Sequence, residues 1–221
     1  MIKDVSNFVE EIVNNIDNTL QGTYNAVTEV TDMCKTKYAR VGKYVKDSTE
    51  TEYLITDLKR DEWLKVETAT GELTLPKPYF LSGTRISANR EWTIATSDLT
   101  QKTPIIWLLS DVRYFQYGRQ SVYDWASDIR LFFLDETDAT NYYSEDHVQN
   151  VVTPMSELAK LFMEVVEKDR KYLTIDSFEM RNFTRFGTES QEGYVENILD
   201  ANLSGVELIV TLTKYKENCK C

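Results

Sequence analysis

The stretch VVTPMSELAKLFMEVVEK, residues 151–168, decides how the second half of this chain folds. Its apolar residues recur at helical spacing, so one helical face is apolar and the opposite face is polar. The apolar face consists of Met155, Leu158, Ala159, Phe162, Val165 and Val166. Thr153 and Pro154 fit the N-cap and first turn of a helix. Residues 144–152 form either a separate first helix or a segment joined to the second by a kink at Pro154.

Two apolar segments precede this helix and two follow it. Residues 104–109 (PIIWLL) and 128–134 (DIRLFFL) predict buried strands, and Ile129, Leu131 and Phe133 share one face of the second. After the helix, residues 178–186 begin with alternation that Gly187 closes. In residues 205–214 (GVELIVTLTK), the apolar residues Val206, Leu208, Val210 and Leu212 fall at every second position, which predicts the clearest strand of the chain. We therefore expect the Met155 face of the helix to pack on the sheet that contains Ile129, Leu131, Val206 and Val210.

The first half has a different pattern. Residues 2–20 predict an amphipathic helix that ends at Gly22, too short and too charged to span a membrane and without the features of a signal peptide. Strands are predicted for residues 26–34, 39–45, 53–57, 63–66 and 84–95. The fold class is therefore α+β, with a mixed or antiparallel sheet and a packed amphipathic helix. Its parts are an N-terminal helix (1–22), a β-rich segment or insertion (23–103), and an α+β core with C-terminal strands (104–221).

The charge distribution narrows the range of partners. The formal net charge is −11, so binding to nucleic acid phosphates is disfavoured. Residues 32–46 are nevertheless basic, with Lys35, Lys37, Arg40, Lys43 and Lys46 against Asp32 alone. Such a basic stripe suits contact with an acidic face of a neighbouring subunit. The alternative is that these side chains lie on the solvated outer face of a strand.

Side chains that carry chemistry are few. The single histidine, His147, reads as an exposed residue at a helix start, because no partner of the right ligand type stands at helical spacing. Cys34, Cys219 and Cys221 read as reduced thiols. The sequence contains no phosphate-binding glycine loop, nucleophile elbow or zinc-protease motif. We therefore expect no enzymatic activity, no metal and no cofactor.

Aromatic residues indicate an interaction surface. Tyrosines are concentrated in three predicted loops, residues 113–126, 135–143 and 188–204, the last with a short helical turn near residues 195–199. A tyrosine on a loop buries a large area while keeping a polar tip, which is typical of interfaces. The alternative is that the rings cover sheet edges within one subunit. The candidate interface residues are Lys35, Lys37, Arg40, Lys43, Tyr114, Tyr117, Tyr123, Tyr142, Tyr143 and Tyr194.

Five segments in this order resemble structural proteins of tailed bacteriophages and prophages. They are KTPIIWLL (102–109), SDIRLFFLDETD (127–138), HVQNVVTPMSELAKLF (147–162), RNFTRFG (181–187) and LSGVELIVTLTKY (203–215). The order of N-terminal helix, sheet, helix and two closing strands is similar to the tail-terminator and tail-completion fold. The chain departs from a minimal terminator in its longer β-rich segment and its expanded acidic loop after Leu134. It therefore equally resembles a neck ring of a short-tailed phage, of the kind found in crAss-like phages.

This resemblance implies a subunit of a homo-oligomeric ring, six- or twelve-fold, at the head–tail junction of a virion. Its partners would be copies of itself, the portal or connector and the tail proteins, with DNA passing through the lumen and no membrane contact. Assembly would take place in the host bacterial cytoplasm. Two other classes remain as alternatives. One is a baseplate or receptor-binding tail accessory protein, and the other is a hydrolase that uses acidic residues.

Overall fold

The computed structural model describes residues 2–25, 30–33, 35–66, 72–95, 101–117, 124–138, 141–168, 172–174, 178–183, 187–189, 195–197, 199 and 201–214. The fold is α+β, as the sequence predicts. The helices are α1 (Ile2–Asn14), α2 (Arg85–Ile94), α3 (Ser144–His147) and α4 (Thr153–Lys168), and a π-helical turn, Val148–Val152, joins the last two. Cys34, Cys219 and Cys221 lie outside the described residues.

The strands divide between three sheets. In chain order they are β1 (Thr19–Leu20), β2 (Gly22–Asn25), β3 (Val30–Met33), β4 (Tyr44–Lys46), β5 (Glu52–Lys59), β6 (Trp63–Val66), β7 (Leu73–Thr74), β8 (Tyr79–Gly83), β9 (Ile105–Tyr117), β10 (Asp124–Glu136), β11 (Tyr172–Thr174), β12 (Glu179–Phe183), β13 (Gly187–Glu189), β14 (Val195–Asn197) and β15 (Leu203–Lys214). A seven-stranded sheet has the order β1-β7-β4-β5-β6-β3-β2. A six-stranded sheet has the order β11-β15-β10-β9-β8, with β12 also paired to β15, and β13 pairs with β14.

The six-stranded sheet contains the predicted strands of the second half. Residues 104–109 begin β9, residues 128–134 lie within β10, and residues 205–214 lie within β15. All the pairs are antiparallel except β8 with β9, which are parallel. The sheet is mixed because β8 reaches β9 only through the crossover that contains α2, whereas β9 and β10 are close in sequence.

The predicted packing of the helix on this sheet is confirmed. Met155, Leu158, Ala159 and Phe162 are fully buried and belong to one apolar core together with Ile129, Leu131, Val206 and Val210. The rings of Phe133 on β10 and Phe162 on α4 meet edge to face, with centroids 5.8 Å apart. The apolar stripe of α1 joins the same core through Phe8, Val9 and Ile12.

The opposite face of the six-stranded sheet is covered by α2. Residues 84–95 were predicted to form a strand, and that prediction is wrong. Thr84 caps the helix by accepting a hydrogen bond from the Ser87 backbone N–H at 3.2 Å, and Ala88 and Trp92, one helical turn apart, are the buried residues. The Lys102 ammonium donates to the Trp92 carbonyl at 2.7 Å, where the negative end of the helix dipole favours a cation.

Several predicted boundaries are also wrong. Helix α1 ends at Asn14 instead of continuing to residue 20. Strand β1 ends just before Gln21, and strand β2 begins just after it. Residues 39–45 are mostly turn, because Lys37 and Gly42 adopt positive φ angles of 48° and 82° and break the extended path. Residues 113–117 belong to β9 and residues 124–126 to β10 rather than to a loop, whereas residues 118–123 lie outside the described residues, and residues 195–197 form β14 rather than a helical turn. Residues 23–103 contribute strands to both large sheets.

Candidate interaction surface

The predicted basic stripe is not an exposed surface. Lys37, Arg40 and Lys43 are each less than 10% exposed, whereas Lys35 is exposed. The Lys37 ammonium contacts the Asp17 carboxylate at 2.8 Å and donates to the Asp17 carbonyl at 2.9 Å. Its hydrogen bond lowers the pKa of the Asp17 carboxyl below the ordinary value. The prediction that these three cations meet a neighbour, or lie on a solvated strand face, is therefore wrong.

Two of the buried cations converge on one carboxylate. Asp135, at the end of β10, lies 2.9 Å from Arg40 Nε and 3.1 Å from Lys43 Nζ. Lys43 also donates to the Thr103 hydroxyl at 2.6 Å, and Arg40 Nη1 donates to the Glu136 carbonyl at 2.9 Å. A buried charge needs a counter-charge and hydrogen bonds to offset its desolvation. The cluster therefore fastens the turn at residues 36–43 to the six-stranded sheet.

Arg40 also touches the helix at its irregular turn. Pro154 has no N–H, so the carbonyl of Asn150, four residues earlier, receives no hydrogen bond from it. Arg40 Nη1 donates to that carbonyl at 3.5 Å. The Thr153 N–H donates to the Val148 carbonyl, five residues back, so the helix continues through a π turn. Of the two alternatives for residues 144–152, the joined segment is the one found, and Thr153 is helical rather than an N-cap.

His147 is buried, contrary to its prediction as an exposed residue. It is 8% exposed, and its Nε2 shares a hydrogen bond of 2.5 Å with the hydroxyl of Ser204 on β15. Burial lowers the pKa of His147. A serine beside a histidine nitrogen is an arrangement that nucleophilic catalysis uses. Ser204, however, is fully buried, so a substrate cannot reach its hydroxyl.

The candidate tyrosines fall in different environments. Tyr143 is 82% exposed just before α3, and Tyr142 beside it is half-buried. Tyr114 is half-buried on β9 and packs against the main core, which is the apolar cluster between α1, α4 and the six-stranded sheet. The backbone of Tyr117 ends β9. Tyr123 and Tyr194 lie outside the described residues. The interface role of the exposed tyrosines stays a prediction.

The C-terminal part of β9, residues 110–117, presents a strand edge. On one side β9 pairs with β10, with a break in register between Leu109 and Arg113, but on the other side β8 pairs only with residues 105–109. No described strand covers residues 110–117 on that side. Asp111 and Arg113 point to the exposed side of this segment, and Val112 and Tyr114 pack against the main core. An uncovered edge of this kind offers backbone N–H and C=O groups to another strand.

A second open edge lies at the opposite end of the same sheet. Strand β12 pairs with β15 through residues Glu179 to Phe183, and no described strand pairs with its outer side. Glu179 and Arg181 are exposed and form an ion pair at 2.7 Å, while Met180 packs against the main core. Phe178, just before the strand, is 40% exposed. The two open edges are thus different surfaces with both signs of charge on each. No sequence signal marked residues 110–117 as an edge, since that depends on where β8 ends.

Other features of the described residues do not form a site. Among these residues, no group of three or more His, Cys, Asp or Glu side chains is placed to hold a metal ion. No described helix is long and apolar enough to cross a membrane. A cavity of about 560 Å³ opens beside Lys43, but its rim mixes Lys46 and Lys77 with Glu50 and Glu52. The Lys46 ammonium already pairs with both of those carboxylates, so acidic and basic groups on the rim offset each other.

The chain matches no protein-family model and no curated protein sequence.

Proposed function

We propose that this chain is a virion structural protein that forms a homo-oligomeric ring at the head–tail junction of a tailed bacteriophage or prophage. The observation that carries the proposal is the pair of unlike open edges on the six-stranded sheet, one on β9 and one on β12. A ring of identical subunits requires two different surfaces that fit each other, because only a head-to-tail contact closes by rotation. The resemblance of five sequence segments to tail-terminator and neck proteins supports the position in the virion.

The proposed role is mechanical. The ring connects the portal or connector to the tail, and DNA passes through its lumen without sequence-specific binding. The net charge of −11 favours this role, since an acidic protein does not hold nucleic acid by its phosphates. We propose no catalytic activity, cofactor or membrane contact. The His147–Ser204 pair fits such a role as a packing element, because it is closed to substrate.

The buried charges fit a subunit that transmits load. The Arg40–Asp135–Lys43 cluster ties the first-half turn to the sheet, and the Asn150 contact ties it to the main helix. Buried charges that are paired and hydrogen-bonded favour a single arrangement of the elements that supply them. We propose that this rigidity keeps the two sheet edges in a fixed relation, as a closed ring requires. The subunit would assemble in the host bacterial cytoplasm and remain in the mature particle.

The test is the assembly state of the purified chain and its place in particles. We expect sedimentation and negative-stain electron microscopy to show closed six- or twelve-fold rings. We expect antibody labelling of particles from the bacterium that carries the gene to mark the junction of head and tail. Label at the distal tip of the tail would overturn the proposal in favour of the accessory-protein alternative. A chain that is monomeric and absent from particles would also overturn it.

A further inference from the structure

We propose that the outward face of α2 in one subunit binds the surface formed by α3 and the π-helical turn in the next copy of this chain. The first surface, the α2 patch, consists of Ile86, Arg90 and Ile94. The second surface, the α3 patch, consists of Tyr143, Glu145 and Val148. The inference rests on the proposed function, because it names helix surfaces, besides the strand edges, through which neighbouring copies in the ring meet.

The two patches contain the most exposed large apolar side chains of the described residues. Ile86 is 84% exposed, Tyr143 82% and Ile94 77%, and Val148 follows at 49%. Single exposed apolar residues are ordinary on a protein surface, but these four fall into two groups. Grouped apolar side chains with polar neighbours are typical of a surface that another protein covers.

Helical periodicity sets the direction of the α2 patch. Ala88 and Trp92 are the buried residues of α2 and belong to the apolar cluster on that face of the sheet. Ile86, Arg90 and Ile94 also stand four residues apart, and at 100° per residue they point to the opposite side of the helix. Arg90 therefore lies at the middle of the outward face, with one isoleucine on either side. Neither isoleucine is needed for packing within the subunit, since both are mostly exposed.

The α3 patch lies on the other side of the six-stranded sheet. Helix α3 leads through the π-helical turn into α4, and α4 packs on the face of the sheet opposite to α2. Val148 stands three residues after Glu145, so the two side chains lie on one side of the turn. Each copy can thus contact one neighbour through α2 and another through α3, which is the head-to-tail arrangement of a ring.

The two patches carry opposite charges. Arg90 is exposed at the centre of the α2 patch, and Arg85 begins the same helix, in which Glu91 is the one acidic residue. Residues 136–156, which include the α3 patch, contain four acidic residues and no lysine or arginine. Glu145 is the exposed carboxylate between Tyr143 and Val148. Opposite charges on facing surfaces favour the correct contact and disfavour other contacts.

The same charges disfavour contacts between two identical patches. A two-fold contact centred on the α2 patch would bring the Arg90 side chains of both copies together. A two-fold contact centred on the α3 patch would bring two acidic surfaces together. Like charges in an interface cost free energy, so the pairing of unlike patches is the favoured one.

Charge reversal in two variants tests the contact. Arg90→Glu and Glu145→Arg should each weaken assembly by about tenfold, because each places like charges in every contact. An equimolar mixture of the two variants should restore assembly to within about threefold of wild type. In an even-numbered ring with alternating variants, half of the contacts have the original charges and the other half have both charges reversed. The double variant Arg90→Glu/Glu145→Arg should be restored to the same extent.

Sedimentation and native mass spectrometry measure the assembled fraction, and electron micrographs show whether the assemblies are rings. Ile86→Thr and Ile94→Thr should also weaken assembly, since they remove apolar contact area while keeping a β-branched side chain. Circular dichroism should show the same fold for all variants. Lys35→Glu is the control, because it reverses an exposed charge outside both patches and should assemble normally.

The remaining outcomes separate the contact from the proposed function. Normal rings from both single variants would overturn the contact and leave the ring function standing. Loss of assembly that neither the mixture nor the double variant restores would overturn the contact, because the patches would then bind something other than each other. A wild-type chain that is monomeric in solution would overturn the contact whether or not it labels particles. Rings that show the expected rescue but do not label the head–tail junction would overturn the proposed function alone.

Discussion

Arg40 Nε lies 2.9 Å from Asp135 Oδ2, and neither side chain is more than 8% exposed. The two residues belong to distant parts of the sequence, a turn in the first half and the end of β10. Lys43 reaches the same carboxylate at 3.1 Å. One buried anion thus holds two buried cations, and removing it should leave both without a counter-charge.

We therefore expect Asp135→Asn to destabilise the chain by about 3–5 kcal/mol, the usual cost of breaking a buried ion pair from one side. Glu136→Gln is the matched control, because it is the same chemical change one residue later at a half-buried position. It should cost about 0.5 kcal/mol or less. Urea unfolding followed by circular dichroism measures both. Equal stabilities of the two variants would show that the cluster contributes nothing.

Charge reversal of Lys37, Arg40 and Lys43 to Glu should prevent soluble folding. A basic stripe on the surface would tolerate these changes, but the structure places three new carboxylates beside Asp17 and Asp135 in buried positions. Each unpaired buried charge costs several kcal/mol, which together exceed the stability of an ordinary domain. Lys35→Glu is the exposed control and should remain soluble. Expression and the soluble fraction decide the question, and a soluble triple variant with normal circular dichroism would contradict it.

The sequence predicted those parts of the fold in which side-chain periodicity is strong. The stripe from Met155 to Val166 and the alternation from Val206 to Leu212 each have one buried face, and both predictions are confirmed. Helix α2 was missed because Ala88 and Trp92 are its buried residues and β-branched residues surround them. A pattern of two residues is too short to separate a helix from a strand.

The buried charges were not predictable in the same way. Lys37, Arg40 and Lys43 stand three residues apart in the sequence, and lysine and arginine side chains are usually exposed to solvent. Their burial depends on Asp17 and Asp135, which are remote in sequence. The sequence predicts an exposed His147 because its partner, Ser204, is likewise remote. Contacts of this kind are set by tertiary packing and leave no local pattern.

His147 predicts a pH dependence of stability. Its burial holds the pKa of the folded state below the ordinary 6.5, so the unfolded chain binds the proton more tightly than the folded one. Its contribution to stability is fully present above pH 6.5 and is lost as the pH falls below 6.5 towards the folded pKa. Because the chain has a single histidine, the difference between wild type and His147→Gln isolates this effect.

We expect the free energy of unfolding of wild type to fall more steeply between pH 7 and about pH 5 than that of His147→Gln. Urea unfolding at several pH values measures the two curves, and an NMR titration of the single imidazole gives the folded pKa directly. Parallel curves, or a folded pKa at or above 6.5, would contradict the assignment of His147 as a buried neutral side chain.

The contact between Phe133 and Phe162 predicts the sensitivity of the main core. Phe162→Ala should cost about 3–5 kcal/mol, since it leaves a cavity between α4 and the sheet. Phe162→Asp should abolish soluble folding, because a carboxylate there has no partner in the apolar core. Lys160→Ala, on the exposed face of the same helix, is the control and should change stability by about 0.5 kcal/mol or less. A soluble Phe162→Asp protein with an unchanged Tm would show that this helix face is wrongly assigned.

Two glycines give a final, paired prediction about the sheet that carries the open edges. Gly205 on β15 has a φ of 153°, and a Cβ at this position would collide with the carbonyl oxygen of Phe133 on β10. Gly42 has a φ of 82°, but a Cβ there meets nothing within 4 Å. Gly42→Ala should therefore cost about 1 kcal/mol from backbone strain alone.

Gly205→Ala adds a steric clash to the strain and should cost about 3 kcal/mol or more. Because β15 joins β10 to β12, pushing it away from Phe133 should also loosen the β12 edge, which depends on β15 for its position. Amide hydrogen exchange of residues 179–183 measures that second effect, and urea unfolding measures the first. We expect faster exchange in Gly205→Ala and unchanged exchange in Gly42→Ala. Equal costs for the two substitutions would mean that β10 and β15 are not in this register at Gly205.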